Sequence, residues 1–229
     1  MPSEHARVRR VAAVVALTVA SYGLPFGALS VAAGLNVWQT CFLSLVMFTG
    51  ASQFALIGII ATGGVAAGPS AIANAALLGL RNAFYGVTLA PTLGVTGWRR
   101  WVAAHLTIDE STAVAVAQST TPLQRHGFWL TGGGVFVVWN VSSLLGALLG
   151  DAIGDVEALG LDAAAPAAFL GLLWPRLRRR QSLVVAVAAA GLAVAATPYL
   201  AAGVPVLLTV AVAVVVGVTN VFGEKGRAA

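Results

Sequence analysis

The sequence predicts an all-α polytopic membrane protein, a bundle of about six to eight transmembrane segments with broken or short helices. No charged residue or histidine occurs from Val11 to Leu80, and none occurs from Gln181 to Gly223. A membrane helix needs about 20 apolar residues, so the first stretch alone exceeds two crossings. Hydrophobic residues make up 59% of the chain and charged residues 9%, whereas soluble domains average about 25% charged residues.

Hydrophobic segments occur at residues 11–33, 37–60, 69–94, 127–150, 163–174, 182–200 and 204–222, with a less apolar eighth segment at 103–121. We expect one transmembrane domain over residues 11–222, between cytoplasmic tails at 1–10 and 223–229. Basic residues concentrate at Arg7 to Arg10, Arg176 to Arg180 and Lys225 to Arg227, and such clusters favour the cytoplasmic side. Both termini are therefore expected inside, which requires an even number of crossings.

Two topologies meet this requirement. In the first, residues 11–33 form a re-entrant pair of half-helices broken at Gly23, Pro25 and Gly27, which leaves six crossings. Proline removes a backbone donor, and broken helices in transporters bind charged groups. In the second, residues 103–121 also cross, which gives eight crossings and places Arg99 and Arg100 outside.

Two groups of polar residues lie within these apolar segments. Ser52 and Gln53 occur in the second segment, where the amide of Gln53 can both donate and accept. In the third segment, Arg81 and Tyr85 lie one helical turn apart, next to Asn82. A guanidinium can bind a carboxylate through two parallel hydrogen bonds, so these residues are candidates for binding an amino or organic acid. The competing interpretation is a structural ion pair between Arg81 and an acidic residue of the eighth segment.

That segment carries three titratable residues, His105, Asp109 and Glu110. The four-residue spacing of His105 and Asp109 predicts one helical face. Ionisable groups within a membrane commonly serve ion or proton coupling, so these residues are candidates for coupling. At the membrane surface, the same residues would form a solvated amphipathic turn.

Other classes of protein find no support in the sequence. The single cysteine, Cys41, excludes an internal disulfide and a cysteine-based metal site. Hydrolase, metalloprotease and nucleotide-binding motifs are absent, so we predict neither an enzyme nor a cofactor. The basic clusters flank apolar segments and serve as topology signals, which does not favour nucleic acid binding.

Five sequence blocks resemble the AzlC-type branched-chain amino acid permeases. They are GLPFGALSVAAGL from Gly23, GASQF from Gly50, LRNAFYG from Leu80, HLTIDE from His105 and LGLDAAAPAAF from Leu159. They occur in the family's order across most of the chain. This chain has Asn82 where the family often has histidine after the arginine.

The resemblance implies a bacterial or archaeal cytoplasmic-membrane exporter of leucine, isoleucine and valine. It also implies a small hydrophobic partner subunit of the AzlD type. The site residues are chemical inferences on matching positions: Gln53, Arg81 and Tyr85 for the head group, with Ser52 and Asn82 beside them. The alternative is a non-transporting membrane scaffold or regulatory subunit in which Arg81 and Asp109 pair structurally.

Overall fold

In the computed structural model, residues 3–154, 167, 170 and 173–219 are described, and the regular structure within them is entirely helical. The α-helices are α1 (Glu4–Ala32), α2 (Val37–Val46), α3 (Gly50–Gly63), α4 (Gly68–Leu93), α5 (Trp98–His105), α6 (Asp109–Val116), α7 (Thr121–Ile153), α8 (Arg180–Ala196) and α9 (Val204–Thr219). Short 3-10 helices occupy Val65–Ala67 and Trp174–Arg178.

The two longest helices, α1 with 29 residues and α7 with 33 residues, run side by side in the same direction. Their first turns meet where the rings of His5 and His126 lie 5.1 Å apart. Further along, Gly27 of α1 contacts the backbone of α7 around Gly146, and Ala28 lies against Gly150. We call the end of the bundle where both helices start the near end and the opposite end the far end.

The predicted break at Gly23, Pro25 and Gly27 is wrong, since α1 continues through Pro25 as one helix. Gly23 and Gly27 are four residues apart and face α7, where Gly146 and Gly150 have the same spacing. Small residues at this spacing let two helix backbones approach closely. The glycines therefore serve helix contact. This contact supports α1 at Pro25, where the helix lacks one backbone hydrogen bond because proline has no N–H.

Residues 37–60 do not form one crossing either, because α2 and α3 together make a broken hairpin. The start of α2 is capped by Asn36, whose Oδ1 accepts from the backbone N–H of Gln39 at 2.9 Å. This start lies just past the far end of α1, whereas Phe48 after α2 packs on Phe136, midway along α7. Helix α3 then returns to the far end, since it runs antiparallel to α4 from Ser52, near Gly79, to Gly63, near Ala67. We call α2–α3 the first hairpin and residues 47–49 the first tip.

The same arrangement occurs again in the opposite orientation. Helix α4 runs from the far end to the near end, where the Nε atom of Arg125 in α7 donates to the carbonyl of Thr92 at 2.7 Å. After α4, α5 rises to the middle of α7 and α6 descends again, since Leu106 packs on Gly132 and Val114 on Gly127. We call α5–α6 the second hairpin and residues 106–108 the second tip. The predicted crossing at 103–121 is therefore wrong.

A long helix followed by a broken hairpin thus occurs twice, as α1 with the first hairpin and α4 with the second. The two units are inverted relative to each other, and both tips reach the middle of α7. Inverted repeats with broken helices at the midplane are a common architecture of secondary transporters.

The last two described helices, α8 and α9, form an antiparallel hairpin attached to the far end of α4. Its turn is held there by Asn74, whose side-chain amide donates to the carbonyl of Gly203 at 3.0 Å. Helix α7 ends at the far end, and the predicted segment at 163–174 between α7 and α8 lies almost wholly outside the described residues.

The bundle exposes many large apolar side chains and buries several polar ones among its apolar core. Side chains such as Gln53, Ser52 and Thr40 are fully buried, whereas Trp38 and Phe84 are largely exposed. Soluble proteins rarely expose so many large apolar side chains, so this distribution favours a lipid environment. Within the described residues, α1 and α7 are long and apolar enough to cross a membrane, and α2, α3, α8 and α9 are shorter apolar helices.

Candidate functional site

The two tips meet in the middle of the bundle, and aromatic rings fill the junction. The ring of Phe48 in the first tip lies 5.9 Å from that of His105, which ends α5 beside the second tip. Both rings also contact Phe136 of α7, at centroid distances of 5.1 and 5.6 Å. The first turns of α3 and α6 therefore start close to the same level of the bundle.

Arg81 of α4 binds Asp109, the first residue of α6, in a bidentate ion pair. Its Nε lies 3.1 Å from both carboxylate oxygens, and its Nη2 donates to Oδ2 at 2.8 Å. Its Nη1 donates to the carbonyl of Leu78 at 2.7 Å. The ion pair named as the alternative in the sequence analysis is thus formed, and it links α4 to the second tip.

Three other predicted substrate residues each carry a buried atom without a hydrogen-bond partner. These atoms are Ser52 Oγ, Gln53 Oε1 and Asn82 Oδ1. The amide nitrogen of Gln53 links the two helices of the first hairpin, since Nε2 donates to the carbonyl of Leu43 in α2 at 3.4 Å. Buried polar groups are nearly always hydrogen-bonded in native proteins, so this group of atoms is suited to binding a polar ligand.

Tyr85 lies one turn after Arg81 on α4 and is partly buried. Asn82 and Gly79 are likewise one turn apart, and Ser52 Oγ lies 3.7 Å from where a Cβ on Gly79 would be. Ser52 and Asn82 therefore lie on the same side of α4, between α4 and the start of α3.

The three predicted coupling residues gather at the second tip, although His105 and Asp109 do not share one helical face as predicted. His105 ends α5, whereas Asp109 and Glu110 begin α6, because the chain turns at residues 106–108. The turn is held by Ser111, whose Oγ accepts from the N–H of Ile108 at 3.0 Å and donates to the carbonyl of Leu106 at 2.7 Å. Hydropathy and helical spacing could not predict this turn, since it contains neither glycine nor proline and two of its three residues, Leu106 and Ile108, are apolar.

Trp139 of α7 was missed by the sequence analysis. Its ring packs against Gly50, the first residue of α3, and stacks on Phe26 at 5.7 Å. It is 3% exposed and its Nε1 has no partner. One signal was available, because tryptophan in membrane proteins favours the interfaces, whereas Trp139 falls in the middle of an apolar segment.

An apolar cleft of about 770 Å³ lies between α3 and α4 on one side and α8 and α9 on the other. Its walls include Phe54, Gly58 and Leu78 from the first two helices and Thr197 and Val206 from the hairpin. Phe54 follows Gln53 directly, and the carbonyl of Leu78 holds Arg81. None of Ser52, Gln53 and Asn82 lines the cleft, which borders this polar group only through the neighbouring residues Phe54 and Leu78.

Comparison with known proteins gives one match. The family described as AzlC protein matches residues 14–153, a stretch that runs from α1 to the end of α7. The block from Leu159 lies beyond the match and almost wholly outside the described residues. No curated protein and no solved structure shows significant similarity to the chain. Since the match covers well over half of its residues, the chain belongs to the AzlC family, whose function lies in membrane transport.

Proposed function

We propose that this chain is the large subunit of a secondary exporter of branched-chain amino acids in the bacterial or archaeal cytoplasmic membrane. It acts with a small hydrophobic subunit of the AzlD type, as the family resemblance implies. One observation carries the proposal: the tips of two inverted hairpins meet beside buried polar atoms that have no partner. Transporters bind substrates at such junctions of broken helices.

Charge distribution supports a cytoplasmic near end. Arg7, Arg9 and Arg10 start α1 there, and Arg99, Arg100 and Arg125 lie there too. Arg178 and Arg179 precede α8 and Arg180 begins it, and the other end of this helix lies at the far-end turn. Positive residues accumulate on the cytoplasmic side. We therefore propose that both termini are cytoplasmic and that the two hairpins enter from opposite sides.

The site chemistry suits a zwitterion with an apolar side chain. Ser52, Gln53, Asn82 and Tyr85, beside the Arg81–Asp109 pair, supply donors and acceptors for the head group, and the cleft between α3, α4 and the α8–α9 hairpin is apolar. Asp109, Glu110 and His105 at the second tip are proposed to couple substrate movement to protons or another cation. Since Asp109 is already paired with Arg81, a change in that pair would also move the second tip.

The bidentate pair favours one competing function, that of a non-transporting scaffold or regulatory subunit. A guanidinium held by a carboxylate and a carbonyl is satisfied without any substrate. This alternative explains Arg81 and Asp109, but it leaves the buried atoms of Ser52, Gln53 and Asn82 without a role.

Efflux measurements test the proposal directly. Cells that express the chain with and without its small partner are preloaded with labelled leucine or valine. Faster efflux with both subunits than with either alone is expected. No acceleration, with both subunits shown to be in the membrane, would favour the scaffold.

A further inference from the structure

We propose that the carboxylate of the transported amino acid binds at the start of α3, to backbone N–H groups, Ser52 and Trp139, and not to Arg81. This inference rests on the proposed function and specifies how its site holds the substrate. Four features of the described residues carry it: an uncapped helix start, an unpartnered serine, an unpartnered indole and an occupied arginine.

Helix α3 starts inside the bundle without a cap. Thr49 occupies the N-cap position, yet its side chain makes no capping bond and its Oγ1 is buried without a partner. The first backbone hydrogen bond belongs to Gln53, whose N–H donates to the carbonyl of Thr49 at 3.0 Å. The N–H groups of Gly50, Ala51 and Ser52 precede it. Such free N–H groups, together with the helix dipole, attract anions.

The start of α6 shows what a closed helix start looks like in this protein. Ser111 is its third residue, as Ser52 is the third residue of α3. The hydroxyl of Ser111 is bonded on both sides, to Ile108 and to Leu106. The hydroxyl of Ser52 is fully buried and has no partner. Of the two inverted hairpins, therefore, the first has a helix start whose serine still lacks a hydrogen-bond partner.

Trp139 brings a second unpartnered donor close to the start of α3, on the five-membered ring of an indole whose six-membered ring contacts Gly50. A Cβ on Gly50 would lie 3.2 Å from the six-membered ring of Trp139, so the indole covers the first residue of α3. The indole nitrogen can only donate, and here it is buried without an acceptor. A carboxylate at the start of α3 would accept from this N–H, from Ser52 and from the backbone.

The acceptors for the other end of a zwitterion lie nearby. Gln53 Oε1 and Asn82 Oδ1 are buried without donors, and an ammonium supplies three. Arg81, by contrast, already donates through Nε and Nη2 to Asp109 and through Nη1 to Leu78, and a substrate carboxylate would have to displace Asp109 to form the same bidentate pair. The donors are thus gathered on α3 and α7 and the free acceptors on α3 and α4.

Binding of three probes to the purified two-subunit complex tests the inference. The probes are leucine, leucinamide, which lacks the carboxylate, and 4-methylpentanoate, which lacks the amine. Trp139→Phe keeps the ring and removes the N–H, and Ser52→Ala removes one hydroxyl. Each variant is expected to weaken the binding of leucine and 4-methylpentanoate about tenfold, which corresponds to about 1.4 kcal/mol. The binding of leucinamide should stay unchanged.

Two comparisons make the outcome specific. Ser143→Ala removes a buried, unpartnered hydroxyl from a different helix, α7. This variant should change none of the three affinities. Unchanged leucinamide binding by Trp139→Phe and Ser52→Ala shows that both variants are folded. If both keep the wild-type ratio of leucine to leucinamide affinity, the carboxylate binds elsewhere and the inference is wrong. If the wild-type complex binds none of the probes, the proposed substrate class fails as well.

Discussion

At the scale of single residues, the Arg81–Asp109 pair joins the long helix α4 to the tip of an inverted hairpin. A pair that is partly exposed, with 26% and 37% of its two side chains accessible, contributes modestly to stability. Because the pair ties α4 to the start of α6 at the second tip, we expect its effect on transport to exceed its effect on stability.

We expect Arg81→Ala to abolish efflux while the protein still inserts in the membrane, since Asp109 then loses its partner at the tip. Asp109→Arg should do the same, and the exchange Arg81→Asp with Asp109→Arg should restore part of the flux. Efflux of labelled leucine and membrane abundance are measured for each variant. Normal flux in Arg81→Ala would refute any role for the pair in transport. A folded but inactive exchange variant would indicate that Arg81 itself binds the substrate.

Glu110 is the carboxylate beside this pair, and we expect it to serve coupling. The isosteric substitution Glu110→Gln should make leucine efflux insensitive to an imposed pH gradient, because an amide does not bind or release a proton in the physiological pH range. Glu4→Gln, at the near end of α1, is the matched control. Unaltered sensitivity of Glu110→Gln would exclude this residue from coupling.

At the scale of helices, the parallel contact between α1 and α7 forms the frame on which both hairpins are mounted. A side chain at Gly27 would run into the backbone of α7 near Gly146, whereas a Cβ at Gly133 would meet open space. Overpacking a close contact costs about 1–3 kcal/mol. Gly27→Leu should therefore lower the melting temperature and the yield of folded protein, and Gly133→Leu should not. Equal melting temperatures for the two variants would show that α1 and α7 can move apart at Gly27 without loss of stability.

The apolar cleft makes a second prediction at this scale. A Cβ on Gly58 would meet no atom within 4 Å, so Gly58→Phe can fill the cleft without a clash in α3. We expect leucine efflux to fall more than valine efflux, because the longer side chain needs more of the cleft. Gly86→Phe, at another open position on α4 outside the cleft, is the control. An unchanged leucine-to-valine ratio would separate the cleft from substrate selection.

At the scale of the whole molecule, the two inverted hairpins explain how all the basic clusters can lie on one side of the membrane although α1 is unbroken. The eight-crossing topology would place Arg99 and Arg100 outside, and the six-crossing topology required a break in α1. In the fold, α1 is continuous, and the hairpins place these arginines at the same end as the start of α1 without an extra crossing.

Cysteine labelling tests this topology. Starting from Cys41→Ser, single cysteines replace Ser3, Val65 or Thr96. Val65 lies at the far end and is 91% exposed, so it should react with a membrane-impermeant maleimide in intact cells. Positions 3 and 96 should react only after the cells are permeabilised. Labelling of position 96 from outside would support the eight-crossing topology instead.

The sequence by itself determined the class of the protein and most of its long helices. The uncharged stretches predict an apolar helical bundle, and the segment at 69–94 matches α4 closely, because its apolar run ends in the left-handed Gly94. Ser52, Gln53, Asn82, Arg81 and Asp109 were identified as candidates because polar groups are rare in such segments. Their chemistry was readable without knowing their neighbours.

Only the tertiary structure decided where the helices break and which polar groups remain without partners. Hydropathy cannot distinguish a straight span from a hairpin that turns at Phe48 or Leu106, since both have the same composition. Glycine and proline signalled a break in α1, yet packing against α7 made that helix continuous. The pairing of Arg81 with Asp109, and the open start of α3 beside Trp139, depend on contacts between segments far apart in the chain, which no local pattern records.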